Sequence, residues 1–379
     1  MPSRLRPFVP AIVFVLIVIS AYAILRSQRE GLVDFVVPHT AAVRFLNHEP
    51  LYRPDDGHYQ YKYFPAFAVA MVPFTWLPYR VSELTWFTLT VAMAWALLKI
   101  SIYALSDRRL SVRVLFWVTL LLNGKFLVKE VGFGQFNLPF ALLLVGAVIA
   151  AQRGRGQMAG ALVAVAVFVK PYALVLVPWL AWTIGWRAFV PFGVVMAGGL
   201  LLPVPFYGWQ GNLTLLSEWL RTVTDTTAPN LMGPENMSFA SMWAKWIGPT
   251  YTAARLALAS VVVAVAGGLA IMWQRSRVAE PNYLEVAYFL VLIPLVSPQG
   301  WDYVLIIALP AYVLLLDRLR DLSLPWRVVA FTGVIFTSFT VWDVMRRTLY
   351  ALSMQWAAVS VGAVLIALCL MRLRWKAIA

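Results

Sequence analysis

Along almost its whole length the chain alternates long apolar runs with short polar joints. Runs near 8–25, 82–105, 112–129, 136–152, 158–169, 172–185, 188–206, 252–273, 284–297, 303–317, 326–343 and 354–372 carry few or no charges. A helix rises about 1.5 Å per residue, so about 20 apolar residues cross a hydrocarbon layer about 30 Å thick, and shorter runs serve where broken helices are shielded by protein. The pattern predicts an all-α polytopic membrane protein with about 12 transmembrane helices, built as one domain over residues 1–379. A shorter run, 63–77 (YFPAFAVAMVPFTWL), holds Pro65 and Pro73 and is read as lying on the outer surface without crossing. Ala21-Tyr22-Ala23, at the end of the first run, has the form of a signal-peptide cleavage site, but the charge pattern is explained with that span retained.

Composition narrows the class. The chain is 61% hydrophobic and only 13% charged, with mean hydropathy +0.75, whereas soluble domains are about 45–50% apolar and about 25% charged. A soluble enzyme and a disordered chain are excluded, and the single cysteine, Cys369, excludes a disulfide scaffold. A net charge of +14 invites a nucleic-acid reading. With 63–77 kept on the outer side, however, Arg108, Arg109, Arg113, Arg153, Arg155, Arg275, Arg277, Arg318 and Arg320 fall together in joints facing one way. The positive-inside rule makes that side cytoplasmic, along with both termini. The expected location is the plasma membrane, the bilayer is the partner, and no nucleic acid is expected.

This layout leaves two long outer loops, 26–81 and 207–251, and loops of that length are usually functional. The first contains Asp34, His39, His48, Asp55, Asp56 and His58; its stretch 34–46 is expected to form an interfacial helix turning Phe35, Val36, Val43 and Leu46 toward lipid. GFGQFN (132–137), Lys170-Pro171, NMSFASMW (236–243) and SPQGWDY (297–303) reach the same side. Polar groups at that depth are expensive unless they are paired or face water, so their convergence marks a site.

These segments also carry a likeness. An acidic residue just after the first span, then LNHEPLY (46–52), Y-x-Y-x-P (Tyr61 to Pro65), G-Q-x-N (Gly134 to Asn137), K-P (Lys170-Pro171), N-x-S (Asn236 to Ser238) and S-P-x-x-W-D (Ser297 to Asp302) follow in an order that resembles glycosyltransferase family 87 over about residues 8–320. The resemblance implies a GT-C-type bundle with outer-face juxtamembrane helices. It further implies an inverting glycosyltransferase that moves a hexose, most often mannose, from a polyprenyl-phosphate donor to a glycolipid or polysaccharide acceptor on the outer face. The matching base is Asp34. Several family members carry a histidine pair after the tryptophan, where this chain has Asp302 and Tyr303, so no histidine role is carried over.

Residue chemistry leaves alternatives at each position. Asp34 can act as a base or cap a helix. Lys170, ahead of a proline that disfavours helix, can meet a phosphate or snorkel. Gln135 and Asn137 offer neutral donors and acceptors suited to sugar hydroxyls. Asn236 and Ser238 can hold a sugar or open a helix, and Trp301 can stack on a sugar or sit in an interfacial belt. Lys125, Lys129 and Glu130 read as an ion pair or a phosphate contact. His58, Tyr61 and Asp302 complete the candidates for donor or acceptor binding. The histidine spacings match no compact ligand pattern, so neither metal nor other cofactor is expected, and the protein is expected to work as a monomer. The competing class is a secondary or lipid-linked glycan transporter, for which internal repeats are expected; the two halves show no second copy of the first loop or of GQFN.

Overall fold

The computed structural model describes residues 21–22, 31–273, 275–278 and 281–378, and these fold as helices joined by turns, with an isolated antiparallel bridge between Asn236 and Trp301. In chain order the helices are α1 (Val33–Leu46), α2 (Pro65–Thr75), α3 (Tyr79–Ala104), α4 (Val112–Leu122), α5 (Gly124–Phe133), α6 (Asn137–Gln152), α7 (Gly156–Val169), α8 (Val177–Thr183), α9 (Trp186–Leu201), α10 (Val204–Asp225), α11 (Phe239–Ile247), α12 (Tyr251–Trp273), α13 (Pro281–Val296), α14 (Leu309–Asp317), α15 (Leu324–Ser338), α16 (Trp342–Gln355) and α17 (Ala358–Ile378). Short 3₁₀ segments, Pro54–Tyr59, Pro171–Leu176 and Asp302–Ala308 among them, join them.

Tyr79–Ala104, Tyr251–Trp273 and Ala358–Lys376 are long and apolar enough to cross a membrane. The pairs α9–α10 and α15–α16 pass the same test together but bend by 90° and 100°, so the described residues give three to five candidate spans by length and composition. The all-α, membrane-type fold expected from the sequence is therefore supported, whereas the count of about 12 spans is not confirmed. Most of the remaining apolar runs do form helices at the expected places, but in pieces of 10–17 residues. The run 112–129 breaks at Asn123 into α4 and α5, 172–185 begins as a 3₁₀ turn behind Pro171, and 303–317 begins as another. The first run, 8–25, lies outside the described residues except for Ala21 and Tyr22.

α13 forms the centre: every residue from Glu285 to Leu295 is buried, as befits a helix apolar on all sides. α12 is the opposite, with Leu258, Val262 and Val263 fully outward. The long second loop is largely helix, α10 and α11, and the described part of the first, 31–81, holds α1, a 3₁₀ turn, α2 and the start of α3. α1 corrects one expectation. Val43 and Leu46 are exposed, but Phe35 is buried, with its ring 5.9 Å from that of Trp86 and 5.8 Å from that of Phe74. The start of α1 is pressed between α3 and the loop after α5, so its aromatic face closes the core.

Candidate active site

The site begins with a close approach. α5 ends at Gly134, which adopts the left-handed conformation (φ 73°) that glycine favours at helix C-termini. A Cβ at Gly134 would lie 2.8 Å from Cβ of Leu32 and 3.0 Å from Cβ of Phe35, so only glycine lets this loop rest on the start of α1. Trp86 Nε1 donates to the Gly134 carbonyl at 3.0 Å and pins it there. Gln135 is thereby delivered to Asp34: its Nε2 donates to Asp34 Oδ2 at 2.6 Å and to the Tyr303 hydroxyl at 3.1 Å.

Asp34 does not cap α1. That task falls to Glu83, a buried carboxylate of α3, which accepts from the Leu32 N–H at 2.6 Å and from the Tyr22 hydroxyl at 2.7 Å. Asp34 is half-buried, and among the described residues no cationic nitrogen comes within 4.0 Å of its carboxylate. Burial raises its pKa above the ordinary aspartate value, opposed by the Gln135 hydrogen bond and the charges of Lys170, His58 and Lys62. Burial in turn lowers the pKa of Lys62, with Asp34 opposing. These groups face a cavity of about 430 Å³ whose wall includes Asp34, His58, Lys62, Tyr63, Gln135, Lys170, Tyr172, Glu235, Gln299, Trp301 and Tyr303.

Pro171 ends α7 at Lys170, whose backbone turns extended (φ −149°, ψ 124°) and brings the side chain to the cavity. Its Nζ donates to Asn137 Oδ1 at 2.6 Å. Asn137 Nδ2 donates to Glu130 Oε2 at 2.7 Å, while Glu130 Oε1 accepts from the N–H groups of Asn137 and Leu138 (2.7 and 3.0 Å) and so caps α6. Asn137 thus holds Lys170 from behind the wall.

The expected ion pair of Lys125 or Lys129 with Glu130 does not form. Neighbours on a helix do not face one another, and both lysines point to Asp302 instead. Lys129 Nζ lies 2.9 Å from Asp302 Oδ1 and 2.8 Å from Glu235 Oε1; Lys125 Nζ lies 3.3 Å from Asp302 Oδ2. Asp302 is therefore buried and doubly paired, off the cavity.

Four further candidates have their polar groups engaged behind the wall. Tyr61 is buried and its hydroxyl donates to the Phe64 carbonyl at 2.8 Å, leaving the cavity to its neighbours Lys62 and Tyr63. Asn236 Nδ2 donates to the carbonyls of Asn230 and Pro298, each at 3.0 Å, and its Oδ1 accepts from the Ser238 N–H. Ser238 Oγ accepts from the Ser241 N–H at 3.1 Å and caps α11. Asn137, described above, is the fourth. The N-x-S and S-P-x-x-W-D segments nonetheless meet as expected, stitched by Met237 N–H to Gly300 O (2.7 Å) and Asp302 N–H to Glu235 O (2.9 Å). Asp34, His58, Gln135, Lys170 and Trp301 do share the cavity. Sequence reasoning missed Lys62, Tyr172, Glu235 and Gln299. Lys62, a lone cation in the tyrosine-rich HYQYKYFP, carried the clearest signal.

Asp56 is held by Arg44 through two hydrogen bonds (2.5 and 2.8 Å), and the described residues include no cluster of three or more His, Cys, Asp or Glu side chains suited to a metal ion. In comparison with known proteins, the chain matches the family model of glycosyltransferase family 87 over residues 61–298. No curated protein and no solved structure is matched. The matched stretch spans well over half of the chain and carries Lys62, Gln135, Lys170 and Glu235; Asp34 lies outside it, 27 residues before its start, and Trp301 three residues after its end. The chain therefore belongs to glycosyltransferase family 87 and is a glycosyltransferase.

Proposed function

We infer that the cavity moves a hexose, mannose before others, from a polyprenyl-phosphate donor to a hydroxyl of a glycolipid or polysaccharide acceptor in a single inverting step. The observation that carries this is Asp34: a carboxylate with no ion pair among the described residues, fixed by Gln135 through one oxygen, on a cavity that also presents Lys170, Lys62 and His58. Asp34 takes the acceptor hydroxyl proton as the acceptor oxygen bonds to the anomeric carbon. The bond from that carbon to the phosphate oxygen breaks with its electron pair, and the three nitrogen-bearing groups stabilise the leaving phosphate. Attack and departure on opposite faces invert the centre. No step in this scheme requires a metal, and one chain supplies every group.

The cavity is assigned to the outer face of the plasma membrane, within a GT-C-type bundle of about 12 spans, some of them broken, with both termini cytoplasmic. Support comes from α2, whose 11 residues rise only about 16 Å. If 63–77 does not cross, the arginines of the 106–113 joint stay cytoplasmic. Cys369 is buried, so a cysteine introduced at Arg109 can be labelled against a quiet background; labelling from outside intact cells would overturn this topology. The activity is tested with the full chain in lipid nanodiscs, a polyprenyl-phosphate mannose as donor and a panel of alkyl glycosides as acceptors. Transfer is expected to continue in EDTA, and retention of wild-type rates by Asp34→Asn would sink the assignment.

A further inference from the structure

Away from Asp34 the cavity wall changes character. Glu235 fixes one oxygen and leaves the other: Oε1 accepts from Lys129 Nζ (2.8 Å) and the Tyr350 hydroxyl (3.3 Å), and among the described residues no donor reaches Oε2. Gln299 does the same with an amide. Its Nε2 meets the hydroxyls of Thr226 (3.1 Å) and Thr227 (3.2 Å), and each hydroxyl already gives its proton to a backbone carbonyl, Thr222 O at 2.7 Å and Val223 O at 2.8 Å. Both threonine oxygens must therefore accept, which settles the amide orientation and leaves Gln299 Oε1 unpartnered at the cavity. Trp301 lies beside them, the benzo end of its indole packed so tightly on Gly233 that a Cβ there would sit 3.3 Å from Cζ3.

Two lysines beside Glu235 are occupied. Lys129 is paired with Glu235 and Asp302, and Lys245 donates to the carbonyls of Pro234 (2.9 Å) and Asn236 (2.7 Å). A surface with two free acceptor oxygens, one of them charged, and an indole repels phosphate and carboxylate. It suits a neutral ring that donates several hydroxyls and has an apolar C–H face, because each open, half-buried acceptor then gains a hydrogen bond and the indole gains an apolar face. We propose that Glu235, Gln299 and Trp301 form a pyranose subsite in the cavity that Asp34 also lines. The subsite rests on the glycosyl-transfer reading above and adds a contact for a sugar ring to a cavity that also presents cationic groups for phosphate.

The test separates the two. Full-length protein in nanodiscs is titrated with methyl α-mannopyranoside and methyl α-glucopyranoside, and binding is read by saturation-transfer NMR, which needs neither donor nor turnover. The wild type is expected to bind, and Trp301→Leu to abolish the signal. Glu235→Gln keeps an oxygen for Lys129 and Tyr350 but puts an NH₂ where the free oxygen was, and is expected to weaken binding about tenfold. Gln299→Leu gives an independent reading if Trp301→Leu does not fold. Absence of a wild-type signal, or a signal unmoved by Glu235→Gln and Gln299→Leu, overturns the subsite. In the transfer assay, a raised KM for the alkyl glycoside acceptor assigns the ring to the acceptor, and a raised KM for the polyprenyl-phosphate donor assigns it to the donor's sugar; either supports a pyranose subsite. Pyranoside binding without any wild-type transfer would remove the transfer reading and leave the subsite standing.

Discussion

Asp34 and Asp302 lie at the two ends of a short path: Asp34 bonds to Gln135, Gln135 to the Tyr303 hydroxyl, and Tyr303 follows Asp302 in the chain. The fold treats them in opposite ways. Asp302 is buried and bracketed by Lys125 and Lys129, so its charge is balanced and its position fixed. Asp34 is half-buried at the cavity with a neutral amide as its only side-chain hydrogen-bond partner among the described residues, and the nearest positive charges stand off. A carboxylate locked between two ammonium groups cannot turn to an acceptor hydroxyl without breaking both pairs. One held by an amide and pushed up by burial can take a proton and return it. The partners, more than the residue type, divide structural from chemical roles here.

The sharpest way to break this contrast is Asp34→Asn. Transfer is expected to fall by about 10²–10⁴-fold, the usual worth of a general base. Stability should move the other way. A carboxyl whose pKa is raised by folding favours the native state while protonated, below its unfolded value, and loses that contribution as pH rises through the raised one. At neutral pH the never-charged Asn is then neutral or stabilising. A large loss of thermal stability in this variant would place Asp34 among the structural carboxylates.

Asp302→Asn should show the reverse. Removing the shared anion leaves Lys125, whose side chain is only 6% exposed, without its ion-pair partner. Breaking a buried pair typically costs about 3–5 kcal/mol. Unfolding measured in detergent or nanodiscs should report that loss. If Asp302→Asn instead kept stability and lost transfer, Asp302 would be the better base.

Gln135→Leu sharpens the contrast without removing either acid. The hydrogen bond from Gln135 favours the charged form of Asp34 and so lowers its pKa against the effect of burial. Without it the pKa rises further. A hydrogen bond to a charged group is worth about 1.5–3 kcal/mol, so the acid limb of kcat/KM should move up by at least about one pH unit. The sign is what matters: the limb reports the unprotonated base and must shift to higher pH. A shift to lower pH, or none, would detach Gln135 from Asp34.

Much of this was legible in the sequence, and the rest was hidden for identifiable reasons. Apolar runs mark helices well, and α3, α6, α7, α12 and α17 begin within a few residues of their runs because hydrophobic length is a local property. Breaks were harder to see: Asn123 splits one run and Pro171 opens another as a 3₁₀ turn, and both choices depend on packing. At the site, Asp34, Gln135 and Lys170 stood out as polar groups in apolar surroundings. Partner choice did not. Nothing local says that Glu130 would cap α6 while its neighbour Lys129 reached across to Asp302, or that Gln299 would find two threonines more than seventy residues earlier. Phe35 was misplaced for a similar reason, since an apolar side chain suits lipid and core equally until the neighbouring ring of Trp86 is known.

The smallest effect concerns Ser238, whose residue type suits both a sugar contact and a helix cap. Its hydroxyl accepts from the Ser241 N–H at 3.1 Å, its own N–H donates to Asn236 Oδ1 at 3.0 Å, and it is buried behind the wall that carries Trp301. A cap and a sugar contact predict different losses. Removing a serine cap costs about 1 kcal/mol of stability, because one N–H at the start of α11 loses its acceptor. Removing a sugar contact leaves the helix alone and weakens substrate instead. Ser238→Ala is therefore expected to lower the unfolding temperature slightly, with KM for donor and acceptor unchanged within about twofold, well under the tenfold expected of a lost sugar hydrogen bond. A tenfold rise in either KM with unchanged stability would move Ser238 to the cavity side of the wall. Because the Met237–Gly300 stitch ties this segment to the loop bearing Gln299 and Trp301, the proposed pyranose subsite would then extend through that stitch to α11.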